Sequence, residues 1–343
     1  MSTTTTPNQT TPAATTRRSR SIDWRGLSRQ YLIILVLIML VVVLAFATHG
    51  TFIKPHNLVD IIRQVSAIGI IAIGMTFVII TTGIDLSVGS VVAMSAVVGA
   101  SLSQLPTAPN LKYPGVAVPA IVAILVGLVI GAAAGGINGF LVTKFRIAPF
   151  IATLGMMTAG RGLANIYTNG RPLSTLQPSF NWLGQGSFGP VPVPVVVFLI
   201  VAVLAHIMLN YTRFGRNVFA IGGNLQAAKV SGINVNRTLM GTYIFIGVLA
   251  ALAGLILAAR TGSGNPTLGT GIELDAIAAT VIGGTAFTGG IGTAWGPIVG
   301  ALTIGSINTG LDLLNVSPFM QQVVKGVIIV GAIIIDERKN RHR

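Results

Sequence analysis

The stretch Tyr31–Ala47 (YLIILVLIMLVVVLAFA) decides the class of fold that this chain can adopt. Its 17 residues carry no charge and form one apolar run, close to the roughly 20 residues that a helix needs to cross the hydrocarbon core of a bilayer. Five arginines precede it: Arg17, Arg18, Arg20, Arg25 and Arg29. Because basic residues hold the adjoining end of a membrane helix in the cytoplasm, the N-terminus is predicted to be cytoplasmic.

A cleaved signal peptide is the alternative for this region. Ala45-Phe46-Ala47 fits the small-x-small pattern of a cleavage site. The apolar run is longer than the usual core of about 7–15 residues in a signal peptide, and further apolar stretches follow. The sequence therefore favours a retained membrane span.

The rest of the chain repeats this apolar pattern. Hydrophobic residues make up 52% and charged residues 9% of the 343 positions, and the mean hydropathy is +0.80, whereas soluble domains carry about 25% charged residues. An ordinary soluble protein and a disordered one are excluded. Ten apolar stretches are predicted to cross the membrane: 31–47, 64–82, 88–105, 116–142, 147–166, 191–209, 239–259, 274–288, 294–311 and 318–335. The predicted fold is an all-α polytopic membrane protein with about ten transmembrane helices, several of them broken or rich in glycine.

The distribution of basic residues agrees with this topology. The net charge is +14, and 15 of the 22 basic residues fall on segments that ten crossings place in the cytoplasm, which also makes the C-terminus cytoplasmic. Basic stretches interleaved with aromatic residues do not occur, so nucleic-acid binding is not expected. We divide the chain into a disordered basic cytoplasmic tail (1–29), a transmembrane permease domain (30–336) with an inner loop at 210–237, and a basic cytoplasmic tail (337–343).

Motifs that carry catalysis are missing from the sequence. It has no cysteine, no HExxH among its four histidines, no G-x-S-x-G and no Gly-Lys dipeptide of a phosphate-binding loop. We therefore predict no catalytic residue, no metal site and no cofactor bound by this chain. An intramembrane enzyme, which requires a catalytic set facing a cavity, is disfavoured for the same reason.

Polar groups in or beside the apolar stretches are few. A carboxylate at mid-bilayer costs at least about 2.5–3.5 kcal/mol, so it seeks water, a helix end or a partner. Asp85, or Ser87 beside it, is suited to cap the helix that follows, and Asp275 lies where an apolar stretch begins. Nearby amides can join helices by hydrogen bonds or bind a polar solute. The candidates for a translocation path are Gln64, Asp85, Asn138, Asp275 and Asn308. A purely structural role for each remains open.

Glycines at Gly127, Gly131, Gly135 and Gly139 recur every four residues, which places them on one face of a helix. Small residues let helix backbones approach closely in lipid. This face therefore predicts a tight helix contact, either within the chain or between two copies.

A weak internal repeat is also visible. Thr81–Ile84 (TTGI) is followed by Gly89, and Thr288–Ile291 (TGGI) is followed by Gly296 at the same spacing. Such duplications are common in transporters. Chance is the alternative in a chain with 42 glycines.

The inner loop carries the strongest local signal. Its stretch Asn224–Ile233 (NLQAAKVSGI) predicts a short helix that is capped by Asn224 and ends at Gly232. A short helix between two spans is suited to docking on a cytoplasmic partner. A plain amphipathic surface turn is the alternative.

The loop segment 213–233 (RFGRNVFAIGGNLQAAKVSGI) resembles the coupling loop of ABC-importer permeases of the ribose/monosaccharide type. Four further stretches resemble the same family: GMTFVIITTGIDLSVGSVVA (74–93), NGFLVTKFRIAPFIATLGMM (138–157), GGTAFTGGIGTAWGPIVGAL (283–302) and QQVVKGVIIVGAIII (321–335). The resemblance covers about residues 30–336. One position departs from the family pattern: an acidic residue usually follows the capping Asn, and here Leu225 stands there.

The resemblance implies partners and coupling residues. It implies a multi-pass protein of the bacterial plasma membrane, a homodimer, a cytoplasmic ABC ATPase that binds ATP and Mg²⁺, and an extracytoplasmic sugar-binding protein. The implied ATPase-coupling residues are Gly215, Arg216, Asn224, Ala227, Ala228, Gly232 and Ile233. Leu225 cannot form the ion pair that an acidic residue would offer to the ATPase, although docking itself does not require that pair.

The function implied by this resemblance is import of a monosaccharide of the pentose or hexose class by alternating access, driven by a separate ATPase. The main alternative is a secondary, ion-coupled transporter of a small polar solute, which needs a coupling-ion site. An exporter and a permease for another polar solute remain open within the family.

Overall fold

The computed structural model describes residues 24–116 and 118–340. Thirteen α-helices form within these residues: α1 (Trp24–Ala47), α2 (Pro55–Ile80), α3 (Val88–Leu102), α4 (Ala120–Lys144), α5 (Pro149–Thr168), α6 (Pro178–Gln185), α7 (Val193–Tyr211), α8 (Arg213–Gly223), α9 (Leu225–Val230), α10 (Val235–Thr261), α11 (Ile272–Ile282), α12 (Gly296–Leu313) and α13 (Pro318–Asn340). Four two-residue strands accompany them: β1 (Leu173–Ser174), β2 (Ser187–Phe188), β3 (Val191–Pro192) and β4 (Ser263–Gly264).

Each of the ten predicted apolar stretches coincides with a helix, namely α1 to α5, α7 and α10 to α13. Among the described residues, α2, α4, α7 and α10 are long and apolar enough to cross a membrane, and α1, α3 and α13 contain shorter apolar helical stretches. The helical polytopic class is confirmed. The number of crossings and the cytoplasmic side of the termini stay predictions.

The helix boundaries differ from the predicted domain limits. Helix α1 begins at Trp24, six residues before the limit placed at residue 30, and α13 continues past residue 336 to Asn340. Hydropathy marks where a helix meets lipid, whereas the backbone ladder continues into water. The remainder of the predicted tails, residues 1–23 and 341–343, lies outside the described residues.

The predicted span 274–288 is the largest error in the helix assignment. Helix α11 ends at Ile282, and its 11 residues extend only about 16 Å, about half of a bilayer core of roughly 30 Å. The apolar composition continues, but the backbone turns because Gly284, Gly289 and Gly290 adopt positive φ angles. The residues between the predicted spans 147–166 and 191–209 likewise contain an unpredicted helix, α6, which packs on α10.

Helix α2 lies at the centre of the fold. Of its most apolar 18-residue stretch, 83% is buried inside the protein, against 28% for α4. It packs against α7, α10, α11 and α12. A helix that is apolar on every side is covered by protein or by lipid, and α2 is covered by protein from Val65 to its end at Ile80.

The short strands close the ends of several helices. Strand β1 follows α5 and pairs antiparallel with β4, which follows α10, so that Leu173 lies opposite Gly264. Strands β2 and β3 form a second antiparallel pair between α6 and α7. The pairing of β1 with β4 fixes the end of α10 beside the end of α5.

The glycine stripe of α4 packs against α10. A Cβ at Gly131 would overlap the carbonyl oxygen of Gly247, and a Cβ at Gly135 would overlap the carbonyl oxygen of Tyr243. Both α4 residues are buried. The prediction of a tight intrachain contact is confirmed, and a dimer seam along this stripe is wrong.

Substitution of Gly135 tests this contact. Gly135→Ala is expected to lower the midpoint of thermal unfolding in detergent by several degrees, because overpacking a close contact costs about 1–3 kcal/mol. Gly136→Ala is the matched control, since its Cβ would meet only a side-chain carbon of Ile244 at 3.9 Å. Equal midpoints for the two variants would contradict close packing of α4 on α10.

Candidate functional site

The predicted inner loop forms two consecutive short helices, α8 and α9. The hydroxyl oxygen of Thr212 accepts the amide of Gly215 at 3.2 Å and starts α8. The side-chain oxygen of Asn224 accepts the amide of Ala227 at 2.9 Å and starts α9. Gly232, at φ +79°, follows the end of α9. The predicted short helix capped by Asn224 is confirmed, and α8 before it was not predicted.

Helix α8 is anchored on the membrane helices. Gly215, Val218 and Ile221 are buried on one face. The ring of Phe214 stacks on that of Phe77 of α2, with centroids 6.3 Å apart. Helix α8 thus moves with the core of the bundle.

The end of α8 meets both halves of the internal repeat. A Cβ at Gly222 would overlap the carbonyl oxygen of Ile80 and lie 2.6 Å from the amide nitrogen of Gly290. The amide of Gly290 donates to the carbonyl of Ile80 at 2.9 Å. The breaks after α2 and after α11 therefore converge on Gly222. The sequence analysis identified the two similar stretches of the repeat but not their common contact with α8. The adjacent glycines Gly222-Gly223 were the local signal for that contact.

Helix α9 projects from this anchored base. Its side chains are exposed except for Ala228, and Val230 is 90% exposed. The implied coupling residues divide accordingly. Arg216, Asn224, Ala227 and Gly232 are exposed, Gly215 and Ala228 are buried, and Ile233 is half-buried. Leu225 and Val230 are the large apolar side chains that α9 leaves exposed.

A cavity of about 760 Å³ separates α9 from the turn between α4 and α5. Three basic residues line it, Lys144, Arg146 and Lys229, together with Leu225 and an apolar wall. No acidic side chain lines this cavity among the described residues. The cavity is therefore positively charged, and Leu225 leaves that charge uncompensated.

Two of the predicted path residues meet through a serine. The Asp85 carboxylate accepts the amide of Ser87 at 2.8 Å and its hydroxyl at 2.6 Å. The Asn138 amide of α4 donates to the same hydroxyl oxygen at 2.8 Å. Asp85 and Asn138 are fully buried. Helix α3 starts at Val88, as predicted, but Asp85 binds the turn before it and Ser87 makes no side-chain cap bond.

Two other path candidates meet at the start of α11. Asp275 lies in the first turn, as predicted, and accepts from the Asn308 amide of α12 at 3.5 Å. It also pairs with the ammonium of Lys325 on α13 at 3.0 Å. Three helices are joined by this buried group. Lys325 was missed as its partner, although a lysine inside an apolar stretch was the available signal.

Gln64 belongs to neither group. It is half-buried on α2, and within the described chain none of the hydrogen bonds of Asp85 or Asp275 involves it. The other four path candidates are buried in the packing of a single chain. A role of these five residues in transport stays a prediction.

The fold and these features define a class: a polytopic helical membrane permease with a projecting helix at one end. A sequence model of the family described as the permease component of branched-chain amino acid transport systems matches residues 57–333. The ribose import permease protein RbsC of Escherichia coli (strain K12) is 43% identical over 334 residues, 96% of this chain and 99% of the relative. RbsC of Bacillus subtilis (strain 168) is 43% identical over 305 residues, 88% of this chain and 91% of the relative.

The galactose/methyl galactoside import permease protein MglC of Escherichia coli (strain K12) is 39% identical over 315 residues, 90% of this chain and 94% of the relative. No solved structure matches the chain. The chain belongs to the ABC importer permeases of the ribose/monosaccharide type. It is a multi-pass protein of the bacterial plasma membrane.

Substitution of Asp85 separates a structural role from a role in transport. Asp85→Asn keeps an oxygen for the Ser87 amide, so normal protein level, thermal midpoint and transport are expected. Asp85→Leu leaves two buried donors, the amide and the hydroxyl of Ser87, without their acceptor. Each loss costs about 1–3 kcal/mol, so the midpoint of thermal unfolding is expected to fall. Lost transport by Asp85→Asn at normal protein level would instead assign Asp85 to the path.

Removal of Lys325 tests the buried ion pair. Lys325→Met leaves the Asp275 charge without its cation, which costs about 3–5 kcal/mol for a buried pair, and less here because 25% of the Lys325 side chain is exposed. We expect a thermal midpoint lower by several degrees. Arg63→Met is the control, since its half-buried pair with Asp60 is longer, at 3.6 Å, and Asp60 keeps His56 and water as partners, so the expected cost is smaller. Equal midpoints would contradict a stabilising role of the buried pair.

Proposed function

We propose that this chain is the membrane-spanning subunit of an ATP-driven importer that carries a monosaccharide, of the pentose or hexose class, into the bacterial cell by alternating access. Relatives that span nearly the whole chain are named as ribose and as galactose/methyl galactoside import permeases. The observation that carries the proposal is α9, an exposed helix on an anchored base, at the position of the family's coupling loop.

In this proposal the chain works in an assembly. A cytoplasmic ABC ATPase binds ATP and Mg²⁺ and hydrolyses the nucleotide, and this chain hydrolyses none. A sugar-binding protein delivers the sugar at the outer face, and a second copy of the chain completes the path. With the N-terminus in the cytoplasm, six crossings, by α1 to α5 and α7, bring 210–237 to the same side as the ATPase.

The contacts of α8 supply a route for the motion. The ATPase moves α9 when it binds ATP, and α9 is continuous with α8 through Asn224. Helix α8 in turn contacts the breaks after Ile80 and before Gly290 without space for a Cβ at Gly222. A displacement of α9 therefore reaches α2, α3, α11 and α12 together, which is what tilting of helix bundles requires.

The docking surface predicts the chemistry of its partner. Leu225, Lys144, Arg146 and Lys229 line one cavity, and Val230 projects beside it. An ATPase surface that presents apolar side chains and acidic groups fits this cavity. An arginine of the ATPase, which would pair with the acidic residue usual in the family, has no counterion at Leu225.

The alternative of a secondary transporter has less support. It needs a group that binds a coupling ion, and two of the membrane carboxylates already have partners: Asp275 is paired with Lys325 and Asp85 accepts two hydrogen bonds from Ser87. Relatives named as import permeases of two sugars also favour the importer.

Isolation of the chain from its native membrane in a mild detergent tests the proposal. We expect an ATPase subunit to co-purify at near-stoichiometric level. Gly232→Trp is expected to abolish that co-purification, because a large side chain beside α9 blocks docking. A homo-oligomer without ATPase, from a preparation that keeps ABC complexes intact, would favour the secondary transporter.

Gly170→Trp is the matched control for this variant. Both glycines are exposed, follow a helix end, have positive φ angles and leave open space for a Cβ. The backbone strain is therefore similar, but Gly170 lies after α5, at the predicted outer end. The control is expected to retain the ATPase. Equal retention by the two variants would remove α9 from the docking surface.

A further inference from the structure

The segment 265–271 (NPTLGTG) connects β4 to α11 and has no helical structure. It runs alongside α3 towards the start of that helix. At one end, Gly264 lies against the backbone of Ala96 and Val97, and at the other the Glu273 side chain occupies the space beside Gly89. Val97 and Gly89 are eight residues apart on α3, which corresponds to about 12 Å along the helix axis. We name residues 265–271 the descending segment.

Arg161 of α5 holds the descending segment in place. Its guanidinium donates to the carbonyl oxygens of Pro266 at 2.7 Å, Leu268 at 2.8 Å and Gly89 at 3.1 Å. Arg161 lies seven residues before the end of α5 at Thr168, about 10 Å inside that end. Two measures of depth therefore place the segment well within a bilayer core of roughly 30 Å.

The opposite side of the descending segment is exposed. Thr267 and Thr270 are exposed side chains of this chain. Irregular backbone at membrane depth is tolerated only where protein covers it or where it lines a water-filled cavity. Helix α3 and Arg161 cover one side, and two exposed hydroxyl groups on the other side fit water and a polar solute better than lipid.

The two hydroxyl groups have a defined hydrogen-bonding capacity. Thr267 donates its proton to the side-chain oxygen of Asn265 at 2.8 Å, and Thr270 donates to the carbonyl of Thr267 at 2.7 Å. Their oxygen lone pairs remain available as acceptors. A sugar hydroxyl can donate to each, through single neutral bonds of modest net strength, which suits passage rather than retention.

We propose that the descending segment lines the translocation path, that Thr267 and Thr270 contact the passing sugar, and that Arg161 is the positioning residue that holds them at this depth. The identity of the solute rests on the proposed function. The water-lined position of the segment rests on its depth and exposure and does not depend on the identity of the solute.

Single cysteines test the position of the segment. The chain has no cysteine, so Thr267→Cys and Thr270→Cys each place one thiol in the assembled complex. The probe is a charged, membrane-impermeant methanethiosulfonate, added from either side of the membrane, with and without ATP and vanadate. Met39→Cys on the exposed apolar face of α1 is the lipid control, and Ser179→Cys, at an exposed position of α6 away from the proposed docking surface, is the water control.

We expect both path cysteines to react at least tenfold faster than Met39→Cys in one of these conditions, and transported sugar to slow the reaction. Rates equal to the lipid control in every condition would overturn the proposal. Fast labelling without slowing by ribose or galactose would retain the water path but overturn contact with those sugars. Loss of ATPase co-purification, by contrast, concerns only the importer proposal.

Uptake kinetics test the contacts themselves. Thr267→Val keeps the shape and removes the acceptor, so the maximal uptake rate is expected to fall several-fold, while the KM, set by capture on the binding protein, is unchanged. Thr267→Ser is expected to restore the rate. Arg161→Lys replaces two donor nitrogens held in a planar fork with a single ammonium, and is expected to change the labelling rate of Thr267→Cys. An unchanged labelling rate would remove the positioning role of Arg161.

Discussion

The hydrogen bond from the Gly290 amide to the Ile80 carbonyl, 2.9 Å long, joins the two places where the bundle is interrupted. A helix end leaves carbonyls without partners, and lipid offers none. Helix α2 ends inside the protein because another interrupted segment supplies a donor there. The approach requires glycine at Gly222 and Gly289, where a Cβ would overlap neighbouring backbone or a threonine methyl group. The central helix, helices α8 and α9 and the break after α11 depend on this junction.

The need to satisfy polar groups inside the protein also explains two basic residues that the predicted topology does not place in the cytoplasm. Arg161 and Lys325 are two of the seven basic residues outside the predicted cytoplasmic segments. Arg161 satisfies three backbone carbonyls of an irregular segment, and Lys325 neutralises Asp275 at a helix start. A cation at membrane depth is costly unless it is paired. Arg161 thus replaces bonds that a regular helix would have made within itself, whereas Lys325 is paired with a side-chain carboxylate.

Local patterns carried much of the architecture. The apolar runs predicted the positions of ten helices, the four-residue glycine spacing predicted the contact of α4, and Asn224 predicted the start of α9. These patterns predicted the wrong helix boundary where an apolar stretch is not helical. The predicted span continued to residue 288, but the backbone of 283–290 turns at glycines with positive φ angles. They also failed for partners distant in sequence. Arg161 binds a carbonyl 105 residues away in the sequence, and Lys325 pairs with Asp275, which is 50 residues away. A pattern within a short stretch of sequence cannot predict pairs at such separations.

Asn224 joins α8 directly to α9. Its amide donates to the Ala220 carbonyl and ends α8, while its side chain accepts from Ala227 and starts α9. One residue thus serves as the last cap of one helix and the first cap of the next, so no residue between α8 and α9 lies outside a helix or a cap. Helix α8 is itself packed without space against the junction at Gly222. In the importer proposed above, a push by the ATPase on α9 therefore has a short, packed route to the helix breaks, which a loop with free residues between α8 and α9 would not offer.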